Sequence, residues 1–194
     1  MKWLVDPDSA FYSFINFFAD VVILSLFCFL LSIPIITIGA AHTAMCCAVA
    51  YRVQDKKTGI KEFLRAFIKN FVPATLIWMC VSAGVLFIFS LCLLLSDISF
   101  LLPVIFFLVL ELIFLCIYIF PVIATQTKKE SNMIDIIKLS FFLAHKNLLT
   151  TLFCSFLATI LLTTCFFYPL LFLIVDGLYN FLAYRFITKT LVFC

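Results

Sequence analysis

Five stretches of the chain are almost continuously apolar: 11–33, 71–95, 101–125, 147–167 and 170–192. Each is about the ~20 residues that an α-helix needs to cross a ~30 Å hydrocarbon core. The fifth is the weakest, because Asp176 and Gly177 interrupt it. Four spans and a terminal surface helix is therefore the rival to five spans. Residues 40–53 (AAHTAMCCAVAYRV) are apolar and small, but roughly 14 residues is too short to cross. They read as a buried or interfacial helix. Two further stretches are amphipathic. In 60–70, Ile60, Phe63, Leu64, Phe67 and Ile68 follow the i, i+3, i+4 rule, while Lys61, Glu62, Arg65 and Lys69 take the opposite face. That pattern describes a basic helix lying on a membrane surface. Residues 131–146 repeat the theme with Asp135, Lys138 and His145 on the polar side.

The first span meets a break at LLSIPIITIGAAHTA, residues 30–44. Pro34 has no N–H and disfavours helix at Ile33, so the span should end there. Thr37 is placed to cap a helix restarting near Gly39, and Gly39-Ala40-Ala41 permits close packing. The break therefore reads as a corner at the cytoplasmic interface.

Composition turns these runs into a fold class. Hydrophobic residues are 66% of the chain and charged residues 12%, with a mean hydropathy of +1.27. Soluble domains are nearer half apolar and a quarter charged. The reading is an all-α, polytopic helical membrane bundle forming a single domain over 1–194, with the lipid bilayer as its solvent. A β-barrel would need short segments of alternating polarity, which are not present. The 26 Phe suit lipid-facing and inter-helix packing. The 9 Cys lie mostly in apolar runs without a C-x-x-C pair, so they read as small hydrophobes in a reduced setting. Asp6 and Asp8 precede the first run and no small-residue cleavage site follows it, so that segment should stay in the protein.

Charge then suggests a threading. In the five-span arrangement every basic residue but Lys2 falls on one side, in 52–69, 128–146 and 185–189. The positive-inside rule makes that side cytoplasmic. The expected location is a bacterial plasma membrane, with the N-terminus outside and the C-terminus in the cytoplasm. Lys61, Arg65 and Lys69 would face lipid headgroups, where each basic residue near an anionic surface contributes about 1 kcal/mol; topological anchoring is the favoured explanation of them. Nucleic-acid binding is excluded by a net charge of only +3 spread over two short loops.

The layout also repeats faintly: span, Ile33-Pro34, surface helix, Lys69-Asn70, span; then span, Phe120-Pro121, surface helix, Lys146-Asn147, span. Duplication and chance likeness between two amphipathic hairpins both account for it. Pro34, Thr37, Gly39, Thr43 and Ala44 form the frame P-x-x-T-x-G-x-x-x-T-A, followed by a basic loop, Phe67-Ile68-Lys69-Asn70-Phe71 and Ala74-Thr75. In these features the chain resembles the YesL-like family of bacterial integral membrane proteins, a family of unknown function. The resemblance implies a multi-pass protein, often encoded beside sugar-uptake and glycan-degradation genes, with no catalytic residues to carry over. His42 departs from the small residue the family pattern implies there.

Glu111 is the most informative single residue. It lies about ten residues, or ~15 Å, from the outer end of the third span, near the bilayer midplane. A carboxylate there costs at least ~2.5–3.5 kcal/mol on insertion scales and usually faces a bundle interior. It would be either a protonated, hydrogen-bonded carboxyl or a carboxylate beside a cation or water. Asn147, Thr151, Ser155, Thr159 and Thr163 form a stripe on the fourth span. Counting depth along each span brings Thr159, Ser82 and Ser25 to the level of Glu111. A midplane polar cluster of these four is the candidate site, serving either ion, proton or substrate contact or a structural inter-helix hydrogen bond. Asn16 and Asp20, with Ser13, mark an outer mouth or a helix end among headgroups.

The remaining motifs are negative. His42 and Cys46 could begin a metal site, but two further ligands are not evident. Lys57-Thr58-Gly59 lacks the S-x-x-K that would give it meaning, and no P-loop, G-x-G-x-x-G, H-E-x-x-H or G-x-S-x-G occurs. No cofactor and no enzyme activity are indicated. Two functions stand: an accessory protein working with a sugar-transport complex, and a small transporter or channel built around Glu111. A membrane-embedded enzyme is a third class, opposed only by the missing base, nucleophile or metal set.

Overall fold

The computed structural model of the chain describes residues 10–53, 59–94, 102–125, 133–167, 177–184 and 187. Among them there is no strand. In chain order they form α1 (Ala10–Ser32), a 3-10 turn (Ile35–Thr37), α2 (Ile38–Val53), α3 (Ile60–Leu94), α4 (Leu102–Thr125), α5 (Met133–Lys146) and α6 (Leu148–Phe167). Residues 177–184 make a further helical segment. The all-α bundle is thus as expected. Among the described residues, three stretches are long and apolar enough to cross a membrane: Ile35–Arg52, Ile60–Leu94 and Pro103–Thr125. Helices α5 and α6 add a fourth only if the pair counts as one span bent by 98°. Much of the expected fifth span, 170–192, lies outside the described residues. The outer surfaces of α3, α4 and α6 carry exposed Leu86, Phe87, Phe106, Phe107, Leu149 and Phe156. Apolar surface of this extent belongs in lipid.

The expected surface helix 60–70 and second span are one element. α3 runs for 35 residues and carries Pro73 within it. At 1.5 Å per residue it is about 52 Å long, well beyond a ~30 Å hydrocarbon core. Its first turns, with Lys61, Arg65 and Lys69 exposed on one side, extend past the apolar part. Pro121 likewise sits inside α4 rather than ending it.

At the centre is α2. Ala40, Ala41, Ala44, Met45 and Ala48 are fully buried. α1 returns along it: Leu24 and Cys28 join Ala41, Ala44, Met45 and Ala48 in one core cluster, and Asp20 forms a 3.3 Å ion pair with Arg52 near the far end of α2. α3 lies on another face. A Cβ on Gly39 would sit 2.6 Å from Trp78 Cβ and 2.7 Å from the Ala74 carbonyl oxygen, so the two backbones meet there. Further along, Asn70 Nδ2 donates to Cys47 Sγ across 3.7 Å. α2 therefore runs antiparallel to both neighbours.

Three expectations change. The Pro34 corner does end α1, and it packs against α3. The Trp78 indole N–H donates to the Ile35 carbonyl at 2.8 Å, and Trp78 is near the middle of α3. Around the corner Ile33, Ile35 and Ile36 are 68%, 72% and 56% exposed. Isoleucines presented this way suit hydrocarbon rather than headgroups. Thr37 does not cap α2. Its hydroxyl faces the Leu31 and Pro34 carbonyls, tying off the end of α1. Nor does α5 lie on a surface. Ile136 and Leu143 pack with Tyr118, Ile119 and Val122, so α5 folds back along α4. The repeat inferred from sequence is therefore not carried into the fold: Lys69-Asn70 lies within a continuous helix, Lys146-Asn147 at a 98° corner.

Gly39→Ala should destabilise the solubilised protein by about 1–3 kcal/mol, the range of overpacking where backbone cannot yield. Gly84→Ala is the control, because its new Cβ would meet only the mobile end of Leu112 at 3.3 Å. Thermal unfolding followed by size-exclusion recovery checks the pair; equal losses would contradict the close approach at Gly39.

Candidate functional site

α4 has two functional faces, and helix geometry separates them. Glu111, Tyr118 and Val122 share one side, while Leu112, Ile113, Cys116, Ile117 and Phe120 centre on the opposite side.

On the first face, Glu111 Oε1 lies 3.2 Å from His145 Nε2 of α5. His145 Nδ1 is 3.0 Å from the Phe141 carbonyl, which only accepts, so Nδ1 carries a proton. A single further proton then lies between Nε2 and Oε1: imidazolium with carboxylate, or imidazole with carboxylic acid. The Phe141 ring packs against the imidazole, tilted by 38° at 4.2 Å between centroids. Glu111 Oε2 is buried and has no hydrogen-bond partner among the described residues. The seam continues at Thr151, which is fully buried. Its Oγ1 lies 2.9 Å from the Ala144 carbonyl and 3.0 Å from the Asn147 carbonyl, and 3.2 Å from the Tyr118 hydroxyl. It donates to one carbonyl and can accept from Tyr118.

Glu111 is thus joined to His145, which sequence reading left on a surface helix. No hydrogen bond joins it to Ser25, Ser82 or Thr159. Ser25 donates to Val21, Ser82 to Trp78 and Thr159 to Ser155, each to a carbonyl one turn back in its own helix. The depth count failed at Thr159 because it started α6 at a membrane surface. The Tyr118–Thr151 contact instead starts α6 beside the middle of α4. The Asn147 stripe therefore drifts from buried Thr151 to exposed Thr159 and Thr163. Ser25 is buried against the C-terminal segment, where a Cβ at Gly177 would collide with it and with Val21.

The family-motif residues are structural in this fold. Pro34 and Thr37 make the corner, Gly39 the close approach, and Thr43, fully buried, donates to the Gly39 carbonyl at 2.8 Å. Asn16 is exposed and Asp20 is paired with Arg52 beside the basic segment, where sequence counting set it at the opposite face. The side chain of Ser13 and residues Lys57-Thr58 lie outside the description.

On the second face of α4 is a cavity of about 280 Å³ between α2, α3, α4, α6 and the 177–184 segment. His42 and Cys46 line it from α2, one turn apart, with Trp78, Phe120, Tyr179 and Asn180 around them. His42 stacks on Phe120 at 5.8 Å, and Phe120 lies 6.3 Å from Trp78. Cys46 Sγ is 3.7 Å from Asn180 Oδ1. Among the described residues no three His, Cys, Asp or Glu side chains group as metal ligands. The i, i+4 spacing of His42 and Cys46 was the one legible sign of this face.

Helices with lipid-suited outer surfaces, packed round a small-residue helix and holding a buried carboxyl, define a polytopic membrane protein. Residues 13–97, which span α1, α2 and α3, match the family described as "Protein of unknown function, DUF624". No curated protein and no solved structure matches the chain.

Replacing His145 with Ala should cost about 1 kcal/mol, because it strips the hydrogen-bond partner from the part-buried Glu111 Oε1. Replacing Glu111 and His145 together should cost less than the sum of the single changes, by ~1 kcal/mol. A double-variant cycle on thermal unfolding measures this; strict additivity would mean the contact does not form.

Proposed function

We propose that this chain is a non-enzymatic accessory protein of a bacterial plasma membrane, working beside a carbohydrate-uptake complex. The observation that carries the accessory reading is the use of Glu111 as a strut. Its carboxyl joins α4 to α5 through His145, and the hydroxyls of Ser25, Ser82 and Thr159 are each bound to their own helix. A carrier built on those four groups would hold them towards one another. The carbohydrate link rests on the YesL-like resemblance of Pro34, Thr37, Gly39 and Thr43, within the stretch that matches a family of unknown function.

The basic face, with Lys61, Arg65 and Lys69, is taken as cytoplasmic under the positive-inside rule, with anionic lipid as its neighbour. Charge counting alone sets the N-terminus outside. The Asp20–Arg52 pair and the antiparallel course of α1 and α2 favour a hairpin with both ends on the basic face, and we adopt that reading. A reporter that fluoresces only in the cytoplasm, fused ahead of residue 1, should be bright; a dark fusion at normal expression would mean that α1 crosses.

Purification of the tagged chain from native membranes in mild detergent should recover a component of a sugar transporter in stoichiometric amount. Recovery of the chain alone would remove the accessory reading. The second reading, a small transporter, is favoured by Glu111 Oε2, which is buried without a partner among the described residues. Glu111→Gln discriminates: it keeps a hydrogen-bonding group for His145 and removes the ionisable one, so an accessory protein should retain its partner and its cellular phenotype. A phenotype as severe as deletion, with normal expression, would favour transport.

A further inference from the structure

We infer that the cavity between α2, α4 and the 177–184 segment binds a small planar organic molecule carrying a hydroxyl or carbonyl group. Its volume of about 280 Å³ is near the lower end for small-molecule pockets. Elsewhere the interior is tight: the α2–α3 contact has no room for one methyl group at Gly39. Beside that tight contact the cavity is a half-open cleft rather than close-packed interior. Flat rings form its walls, with Trp78 and Phe120 on one side and Tyr179 and Tyr184 on another. Such walls accept a planar ring by offset or edge-to-face stacking.

Polar residues enter the lining from α2, with His42 and Cys46, and from the 177–184 segment, with Tyr179, Asn180 and Tyr184. His42 is half-buried, stacks on Phe120, and makes no hydrogen bond to any described residue. A neutral imidazole presents one N–H donor and one acceptor nitrogen, which suits a hydroxyl, and its donor suits a carbonyl. Trp78 does not compete for that role, since its N–H is held by the Ile35 carbonyl. A half-buried polar group on an apolar wall gains from a partner, so a ligand that satisfies His42 gains over one that only fills space. The cavity lies on the face of α4 opposite Glu111, so this site is independent of the seam with α5.

The full chain in detergent tests this, with 2-naphthol as the probe. The chain has 2 Trp, so Trp3→Phe leaves Trp78, in the cavity wall, as the sole indole emitter. Titration should quench Trp78 emission to saturation at one site. His42→Ala should weaken binding about tenfold, the scale of one hydrogen bond. Naphthalene, which has the rings without the hydroxyl, should bind about tenfold more weakly than 2-naphthol to the unmodified cavity and equally well to the His42→Ala cavity. Ala183→Phe, which fills the cavity, should abolish saturable quenching while thermal unfolding stays cooperative. If that variant does not fold, Ala158→Leu fills the opposite wall. Linear quenching that persists in a folded cavity-filled variant would show partition into detergent and overturn the site. Equal affinity for naphthalene and 2-naphthol would reduce the cavity to an apolar void and overturn the role of His42.

Discussion

The structure depends on how closely α2 can approach its neighbours. Helices in lipid gain little from burying apolar surface against one another, because the tails outside are equally apolar; close packing of small residues supplies the attraction instead. α2 meets this condition on separate arcs of one helix. Gly39 and Cys47 face α3, Ala41, Ala44 and Ala48 face α1, and Ile38, His42 and Cys46 face the cavity beside α4. At Gly39 the α3 backbone is within reach of a missing side chain, so nothing larger fits without moving a carbonyl. The third arc carries larger residues, and Trp78 and Phe120 stand opposite it. Tight contact on two arcs and bulky rings on the third leave the cavity where it is.

The seam between α4 and α5 is built on a different principle. A carboxyl in an apolar helix is tolerated when something compensates it, and His145 does so by reaching Glu111 from a helix folded back along α4. The same fold-back brings Leu143 against the core and delivers Thr151 to Tyr118. One polar contact and one apolar face therefore agree on a single register for α5.

The helices were readable because continuous apolar runs of this length leave few other choices, and α1, α4 and α6 follow the runs at 11–33, 101–125 and 147–167. The corner at Pro34 and the small-residue packing of α2 were legible for local reasons: a missing N–H and missing side chains. The site was not. Sequence singled out Glu111, since a lone carboxylate in a Phe-rich run is conspicuous, but it chose partners by counting depth from charged loops. That count assumes each helix begins at a membrane surface and runs straight across. α6 begins beside Tyr118, and α1 ends at a corner bonded to Trp78, so the count was displaced for both. His145 was set aside because an i, i+4 pattern shows which residues share a helix face and says nothing about what that face packs against. The cavity has contributions from five separate segments, a coincidence that no local pattern encodes.

Both helix breaks, at Pro34 and at Asn147, raise the same difficulty. A break in a helix exposes backbone N–H and C=O groups, and hydrocarbon offers them no partner. The polar residues at the two corners answer this. At the first, the Thr37 hydroxyl faces the carbonyls of Leu31 and Pro34, and the Trp78 indole donates to Ile35. At the second, the Asn147 side chain donates to the Leu143 carbonyl at 3.4 Å, while Thr151 reaches the carbonyls of Ala144 and Asn147. Residues that look like a polar pathway in sequence therefore serve, at these positions, to close broken helices inside an apolar solvent. Glu111 and His42 differ from them. Neither is needed to satisfy a corner, Glu111 retains a buried oxygen without a described partner, and His42 turns an imidazole with no hydrogen bond to any described residue towards a cavity. Glu111 is accounted for by its strut to α5; the His42 imidazole, which neither a corner nor that seam requires, is the group whose presence calls for something beyond folding.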